Sequence, residues 1–247
     1  MKIGIIGVGN IGATLARKFS AVGHSVSLAN SRGPESIREI AREANATAVA
    51  LADVVKGADV VVVSIPEKAI PQLPKDLFAK LPKHVVVIDT GNYYPVMRDE
   101  PVAAIESGMP ESQWVAEQLG RPVVKAFNSI LSQSLAKKGQ PGGLPGRIAL
   151  PVAGDETDAK KIVIGLVNDT GFEGVDAGTL GESWRQQPGT PAYCTDIVGS
   201  VALKDALARA VKDKAPGLRD LALQRLGQLG STITNDDMLL INRALHD

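Results

Sequence analysis

The chain has 247 residues, with 27 Lys and Arg balanced by 27 Asp and Glu, plus 3 His and 1 Cys. Hydrophobic residues at 44% and charged residues at 22% exclude disorder and fit one globular domain, or one plus a small appendage. Zero net charge excludes a global basic field for nucleic acid, and a lone cysteine excludes a disulfide framework or a cysteine metal cluster.

The amino-terminal residues MKIGIIGVGNIGATLARKF carry one Lys and then glycines, unlike a secretory leader. No apolar run approaches the roughly 18 residues of a membrane span. The expected setting is the reducing cytoplasm, with no nucleic acid, no membrane and no metal as partner.

In chain order, residues 2–6 read as a buried strand and 11–22 as a helix, with Ile11, Leu15, Phe19 and Val22 on one face. Residues 25–29 are a strand, 34–44 a helix with Pro34 in its first turn, 47–50 a strand and 52–56 a short helix. Residues 59–65 are nearly continuous valine, the pattern of a strand covered on both faces. A helix interrupted by Pro71 and Pro74 spans 68–81. Strands follow at 84–89 and 122–126, with a helix at 111–119 between them. This alternation predicts a doubly wound parallel sheet with right-handed crossovers.

Beyond a Gly/Pro-rich boundary at 139–147 the pattern changes. A strand (148–153), a helix (158–167) and a strand (172–177) precede three helical stretches after Leu203. The expected division is a nucleotide-binding domain at 1–140 and a small α/β-to-helical domain at 147–247 packed against it.

Gly7-Val8-Gly9-Asn10-Ile11-Gly12 follows the first strand and opens the first helix. Gly7 suits a tight turn, Gly9 a close pyrophosphate, and Gly12 close helix–sheet packing. Free N–H groups at the helix start attract the anion. A dinucleotide cofactor is therefore expected. An NAD enzyme usually carries Asp or Glu at the end of the second strand, yet here stand Asn30, Ser31 and Arg32. A hydroxyl and a guanidinium suit the 2′-phosphate of NADP(H); a solvated loop charge is the alternative. Ser64-Ile65-Pro66, Thr90-Gly91-Asn92 and Asn128 end later strands and are candidates for the same crevice, although each also fits ordinary turn chemistry.

Hydrolase and metalloprotease motifs are absent, and His24, His84 and His246 are scattered. His24 and His84 read as surface residues and Cys194 as inert. No Tyr-x-x-x-Lys pair stands out. An acceptor that is itself a cofactor needs chiefly to be held against the nicotinamide.

GVGNIG, NSRGPES, SIPEKAI, DTGNYYP, VVKAFN and VDAGTLGESWRQQPGTPAY together resemble the coenzyme F420-dependent NADP oxidoreductase family, to which the reductase domain of the STEAP proteins is related. The resemblance covers roughly residues 1–195. It implies a Rossmann domain, with NADP held by Val8–Ile11, Ser31, Arg32 and the Ile65-Pro66 loop. It also implies a small carboxyl-terminal domain closing over the nicotinamide, and hydride transfer to a deazaflavin. Two departures accompany it. Archaeal members carry His at the position of Asn128, and the tail after about Leu203 extends beyond their pattern. Asn128 and Thr90 are expected to position the nicotinamide, and Ile65 and Pro66 to press on its ring. Trp184 and Arg185 are candidates for the acceptor pocket, since an aromatic and an Arg suit a planar anionic ring, while Trp184 equally fits the core.

The expected activity is NADPH-dependent hydride transfer to a flavin-like acceptor, coenzyme F420 or FMN/FAD. Alternatives are an imine or carbonyl reductase resembling pyrroline-5-carboxylate reductase, and an NADPH-binding sensor without turnover. A stripe of Leu218, Leu221, Leu223, Leu226 and Leu229 suggests a homodimer or packing on the chain's own core.

Overall fold

The valine run β4 (Val60–Val63) lies in the middle of a six-stranded sheet, and all four residues are buried. Val60 and Val62 enter one apolar cluster with Ile3, Leu15 and Phe19, whereas Val61 and Val63 enter another with Phe78, Trp114 and Val115. Side chains alternate across a strand, so a sheet covered on both faces needs apolar residues at every position. The computed structural model describes every residue except Val96, Ser231 and Asp247.

The first elements are β1 (Lys2–Ile6), α1 (Asn10–Ala21), β2 (Ser25–Ala29), α2 (Arg38–Glu43) and β3 (Thr47–Ala48). After β4 come α3 (Asp76–Ala79), β5 (Val86–Asp89), α4 (Ala103–Glu106), α5 (Glu111–Leu119), β6 (Val124–Lys125) and α6 (Ser132–Lys137). The strand order is β3-β2-β1-β4-β5-β6, all parallel. This is the doubly wound Rossmann sheet expected from the alternation of elements.

β1, β2 and α5 span the residues that the pattern predicts. The proline-bearing segments differ. Residues 34–44 split into a 3-10 turn (Pro34–Ile37) and α2, and residues 68–81 into a 3-10 segment (Glu67–Gln72) and α3. Pro71 and Pro74 each lack an N–H, which stops a continuous helix. The helix expected at 52–56 is a series of turns, and α6 was not legible in the sequence.

A second βαβ unit follows, β7 (Ala149–Val152), α7 (Thr157–Asp169) and β8 (Glu173–Asp176), its two strands parallel. It joins the edge of the main sheet through an antiparallel bridge, with Lys125 N–H donating to the Ala153 carbonyl at 2.8 Å and Ala153 N–H to that of Lys125 at 3.0 Å. One apolar cluster runs across the junction, from Ile3 and Phe19 to Leu150, Val163 and Phe172. The second unit therefore shares its core with the first. His24 reinforces the join: half-buried, it packs edge-on against Phe19 and contacts Asp169 at 3.1 Å, which corrects its reading as a surface residue.

Three helices close the chain: α8 (Ser200–Arg209), α9 (Ala215–Gln228) and α10 (Asn235–Arg243). α8 packs Leu203, Ala206 and Leu207 against Ala149 and Val175. α10 opens on a capping box between Thr234 and Asp237 and is held by bonds from Asn242 and Arg243 to the carbonyls of Cys194 and Thr195. α9 buries Ala215, Arg219 and Ala222 rather than its leucine stripe. Among the described residues no helix is long and apolar enough to cross a membrane.

Candidate functional site

In a parallel sheet every strand delivers its carboxyl end to the same edge, and ligands bind there where the strand order reverses. Here Ile6 stands in register with Ala29 and Val63, and Val63 with Asp89, which pairs with Lys125. The residues just beyond these ends are Gly7, Asn30, Ser64, Thr90 and Ala126. Candidates from five separate stretches of sequence thus share one edge.

At its centre is the glycine turn. Gly7 has a φ of +104°, and a Cβ there would meet the Ser64 carbonyl oxygen at 2.2 Å. A Cβ at Gly12 would lie 2.1 Å from the Gly7 carbonyl oxygen, so strand and helix touch here only because both residues lack one. Gly9 is different: it is exposed, and a Cβ there would have nothing within 4 Å. The space before it is an open cleft of about 420 Å³, lined by Val8, Gly9, Asn10 and Ser132 among others. No side chain caps α1, and its first turn holds no acidic residue. Its leading N–H groups therefore face open space with the partial positive charge of a helix start. This cradle fits a dinucleotide pyrophosphate.

Beyond β2, the Asn30 side chain accepts from Arg32 N–H at 3.1 Å and donates to Ser36 at 2.9 Å. This turn leaves Ser31 and Arg32 exposed. Among the described residues the Arg32 guanidinium has no side-chain partner, and no carboxylate follows β2 in the turn. The arrangement fits a 2′-phosphate.

The other half of the edge is closed. The Thr90 hydroxyl is bonded back to the Val63 carbonyl at 3.3 Å. Asn128 is 2% exposed, and its amide is consumed by the protein: it donates to Asn92 Oδ1 at 3.0 Å and the Gln186 carbonyl at 2.8 Å, and accepts from Gln186 Nε2 at 2.9 Å. Asn92 Nδ2 donates in turn to the Asn128 carbonyl at 3.0 Å. The side chains of Thr90 and Asn128 are thus bonded within the protein at the edge where the two were expected to position a nicotinamide. They fix the backbone that lines the crevice. Ile65 and Pro66 are half-buried beside it.

Beneath that backbone lies a charge cluster that the sequence reading missed. Lys125 is fully buried, with Nζ 3.1 Å from Asp89 Oδ2, 2.7 Å from the Gly91 carbonyl and 3.7 Å from Glu111 Oε2. Asp89 also accepts from Gly91 N–H at 2.8 Å and the Ser112 hydroxyl at 2.6 Å. The Lys125–Asp89 pair therefore grips Gly91 by both its N–H and its carbonyl. Arg98 joins from one side, contacting Glu67 at 3.2 Å and the Asn92 carbonyl. Burial alone would lower the Lys125 ammonium, but Asp89, Glu111 and Glu67 outweigh it and hold it above its ordinary value. Burial pushes the Glu111 carboxyl up to about 7, with Lys125 and the Tyr93 backbone N–H pulling the other way. Burial and the neighbouring Glu111 raise Glu67 well above the carboxylate range. A charged residue inside an otherwise apolar strand was the available signal, at Lys125 in VVKAF and Asp89 in VVVID.

Next to this cluster is a cavity of about 370 Å³ bounded by Tyr93, Met109, Glu111, Trp184, Lys212 and Arg219, with further residues at its rim. Trp184 is half-buried and lines it. Arg185 does not: its guanidinium stacks on the Trp184 ring at 4.4 Å and bonds to Glu182 and the Leu207 carbonyl. Arg185 is thus engaged by Trp184, Glu182 and Leu207 and stands outside the lining of this cavity. Cys194 is buried, and burial pushes its thiol up to about 12, in keeping with an inert residue.

The family model described as NADP oxidoreductase coenzyme F420-dependent matches residues 2–93. The protein YjhV of Escherichia coli (strain K12) is 41% identical over 106 residues, 43% of this chain and 77% of that protein. The crystal structure of SMa0349 from Sinorhizobium meliloti superposes with a TM-score of 0.68 at 30% identity, covering 81% of this chain and 96% of that one. A candidate F420-dependent NADP reductase from Arthrobacter sp. FB24 shares the fold, with a TM-score of 0.60 at 19% identity over 94% of this chain and 96% of that one.

Proposed function

This chain belongs to the coenzyme F420-dependent NADP oxidoreductase family, and on that premise we propose that it transfers hydride between NADP(H) and a flavin-like acceptor, coenzyme F420 or FMN/FAD. The observation that carries the reading is the uncapped glycine turn beside a β2 loop offering Ser31 and Arg32 in place of a carboxylate. When bound, NADPH supplies a hydride, so that NADPH, oxidised acceptor and one proton become NADP+ and reduced acceptor.

The backbone from Gly7 to Gly12, with Val8, Asn10 and Ile11, holds the pyrophosphate. Ser31 and Arg32 hold the 2′-phosphate, and Asn30 keeps their turn in shape. Ser64, Ile65 and Pro66 form one wall for the nicotinamide, and Thr90, Gly91 and Asn92 the other. Asn128 braces that second wall through Asn92 and Gln186. Proximity of the two rings is the main catalytic resource in this reading, because the chemistry resides in the cofactors.

Residues 1–140 serve as the NADP-binding domain and 147–247 as the region that closes over it. The half-buried leucines of α9 suit a homodimer, and the single cysteine suits the cytoplasm; light scattering tests the former. The test of function is NADPH oxidation with coenzyme F420, FMN, FAD and no acceptor run side by side. Turnover that needs one of the three is the expected result. Saturable NADPH binding with no oxidation by any of them would overturn the reading in favour of a sensor or of another substrate class.

A further inference from the structure

β4 and β5 lie side by side, and the last backbone bond between them runs from Thr90 N–H to the Val63 carbonyl at 3.1 Å. Beyond it the chain continues as Ser64–Pro66 on one side and Gly91–Asn92 on the other, the two walls assigned above to the nicotinamide. Among the described residues no backbone bond joins residues 64–68 to residues 91–94. The ladder of the sheet therefore does not set the gap between these walls.

Two adjacent side chains bridge it. Arg98 Nη2 lies 3.2 Å from Oε2 of Glu67, the residue directly after the first wall, and also donates to the Asn92 carbonyl in the second. Asp99 makes the same link one step further out. Its Oδ1 accepts from Lys68 N–H at 3.2 Å and its Oδ2 from Tyr94 N–H at 2.9 Å. Arg98 and Asp99 also hold each other, with Nη2 3.1 Å from Oδ2. Their backbone N–H groups both donate to the Tyr94 carbonyl, at 3.1 and 2.9 Å, so one tight turn presents the pair. At the base of the gap the walls touch: a Cβ at Gly91 would lie 2.5 Å from Glu67 Oε1.

The sheet itself does not need this pair, because Val60–Val63 and Val86–Asp89 are already in parallel register. What the pair adds is a fixed spacing past the end of the ladder. A bound group is held precisely only where the side chains behind its walls are themselves locked, to within about 0.5 Å. Here the Glu67 and Asp99 side chains are buried and bonded.

We propose that Arg98 and Asp99 are positioning residues that clasp the two nicotinamide walls at a fixed spacing and so hold the ring in place. The proposal rests on the NADP(H) reading given above and is independent of which acceptor is used. Neither residue is placed against the ring; both act through Glu67, Lys68, Asn92 and Tyr94. Removing Arg98 leaves the fold tolerable electrostatics. Burial and the neighbouring Glu111 already raise the Glu67 carboxyl well above its usual range, and Asp99 keeps its two backbone donors.

The test titrates NADPH and 2′,5′-ADP, which carries the 2′-phosphate but no nicotinamide, into the full-length protein, followed by calorimetry. The wild-type chain should bind NADPH about tenfold more tightly than 2′,5′-ADP, or better, because the slot is already formed. Arg98→Met should raise the NADPH Kd about tenfold and leave that of 2′,5′-ADP in place, which also reports a folded variant. Arg98→Lys keeps the charge but replaces the guanidinium fork by one nitrogen, and should give a smaller rise of the same kind. Equal affinity of the wild-type chain for the two ligands, equal weakening of both by Arg98→Met, or NADPH affinity unmoved in the Arg98 variants would overturn the clasp. The wild-type comparison and Arg98→Lys decide the matter where Arg98→Met fails to fold. The two readings separate. Tight NADPH binding indifferent to Arg98 keeps the cofactor and removes the clasp. A nicotinamide-selective loss in the variants, without oxidation of NADPH by coenzyme F420, FMN or FAD, keeps the clasp and removes the acceptor class.

Discussion

The two halves of the sheet's carboxyl edge are built on opposite principles. At β1 and β2 the groups proposed to face a ligand are bare: backbone N–H at an uncapped helix start, an exposed Gly9, and an exposed Arg32 without a side-chain partner among the described residues. At β5 and β6 the polar groups are buried and already bonded to one another, from Asn128 and Gln186 down to Lys125 and Asp89. Gly9 and Arg32, unlike Gly7 and Gly12, can be altered without disturbing the fold, because both are exposed and a Cβ at Gly9 meets nothing within 4 Å. The closed half shapes the crevice by staying rigid, and any cut there leaves a buried charge or amide stranded.

The largest effect should come from cutting the closed half. Lys125→Met leaves Asp89 and Glu111 facing an apolar side chain, and breaking such a buried pair costs about 3–5 kcal/mol. Urea unfolding measures this; a loss under about 1 kcal/mol would mean that the carboxyls absorb the change by taking up protons.

A cut in the open half should act on the ligand alone. Arg32→Ala should remove about 1.5–3 kcal/mol of NADPH binding, a rise in Kd of roughly 10- to 150-fold, with NADH barely affected. Equal losses for both cofactors would take the 2′-phosphate away from Arg32. Gly9→Ala sharpens the contrast further. Gly9 has a φ of −69° and open space at its Cβ position, so the fold should hold or gain about 0.4–1 kcal/mol. NADPH Kd should nonetheless rise about tenfold as the methyl occupies the pyrophosphate's place. Unchanged affinity would place the pyrophosphate elsewhere.

The closed half also carries a pH slope. Glu111 holds its proton up to about 7 in the fold, against about 4.3 for an unfolded chain. The native state then binds more protons than the unfolded state across that interval, so stability falls as pH rises from about 4.3 to about 7 and flattens above. Glu67, raised in the same direction, extends the fall. Glu111→Gln should make the slope shallower, read as the unfolding midpoint against pH. A slope unchanged in the variant would assign the whole of it to Glu67.

Much of the open half was legible from local residues. Gly7, Gly9 and Gly12 sit between a strand and a helix whose periodicities are plain, and Arg32 stands where a carboxylate would otherwise be expected. The closed half was legible only as a set of strand ends. Thr90, Asn92 and Asn128 were placed at the correct edge, but their side-chain directions depend on Gln186, which no local pattern links to them. Arg185 adjoins Trp184 in sequence, yet its partners, Glu182 and the Leu207 carbonyl, are set by the tertiary structure. Arg219, which does line the Trp184 cavity, lies far along the chain on α9.

The sequence by itself determined the strand–helix alternation, the apolar saturation of β4 and the glycine turn, because these depend on residue periodicity and on which backbone angles a residue tolerates. Only the tertiary structure decided which side chains remain free to meet a ligand. A side chain's availability depends on whether some distant group has already satisfied it, as Gln186 satisfies Asn128 and as nothing satisfies the terminal nitrogens of Arg219 among the described residues.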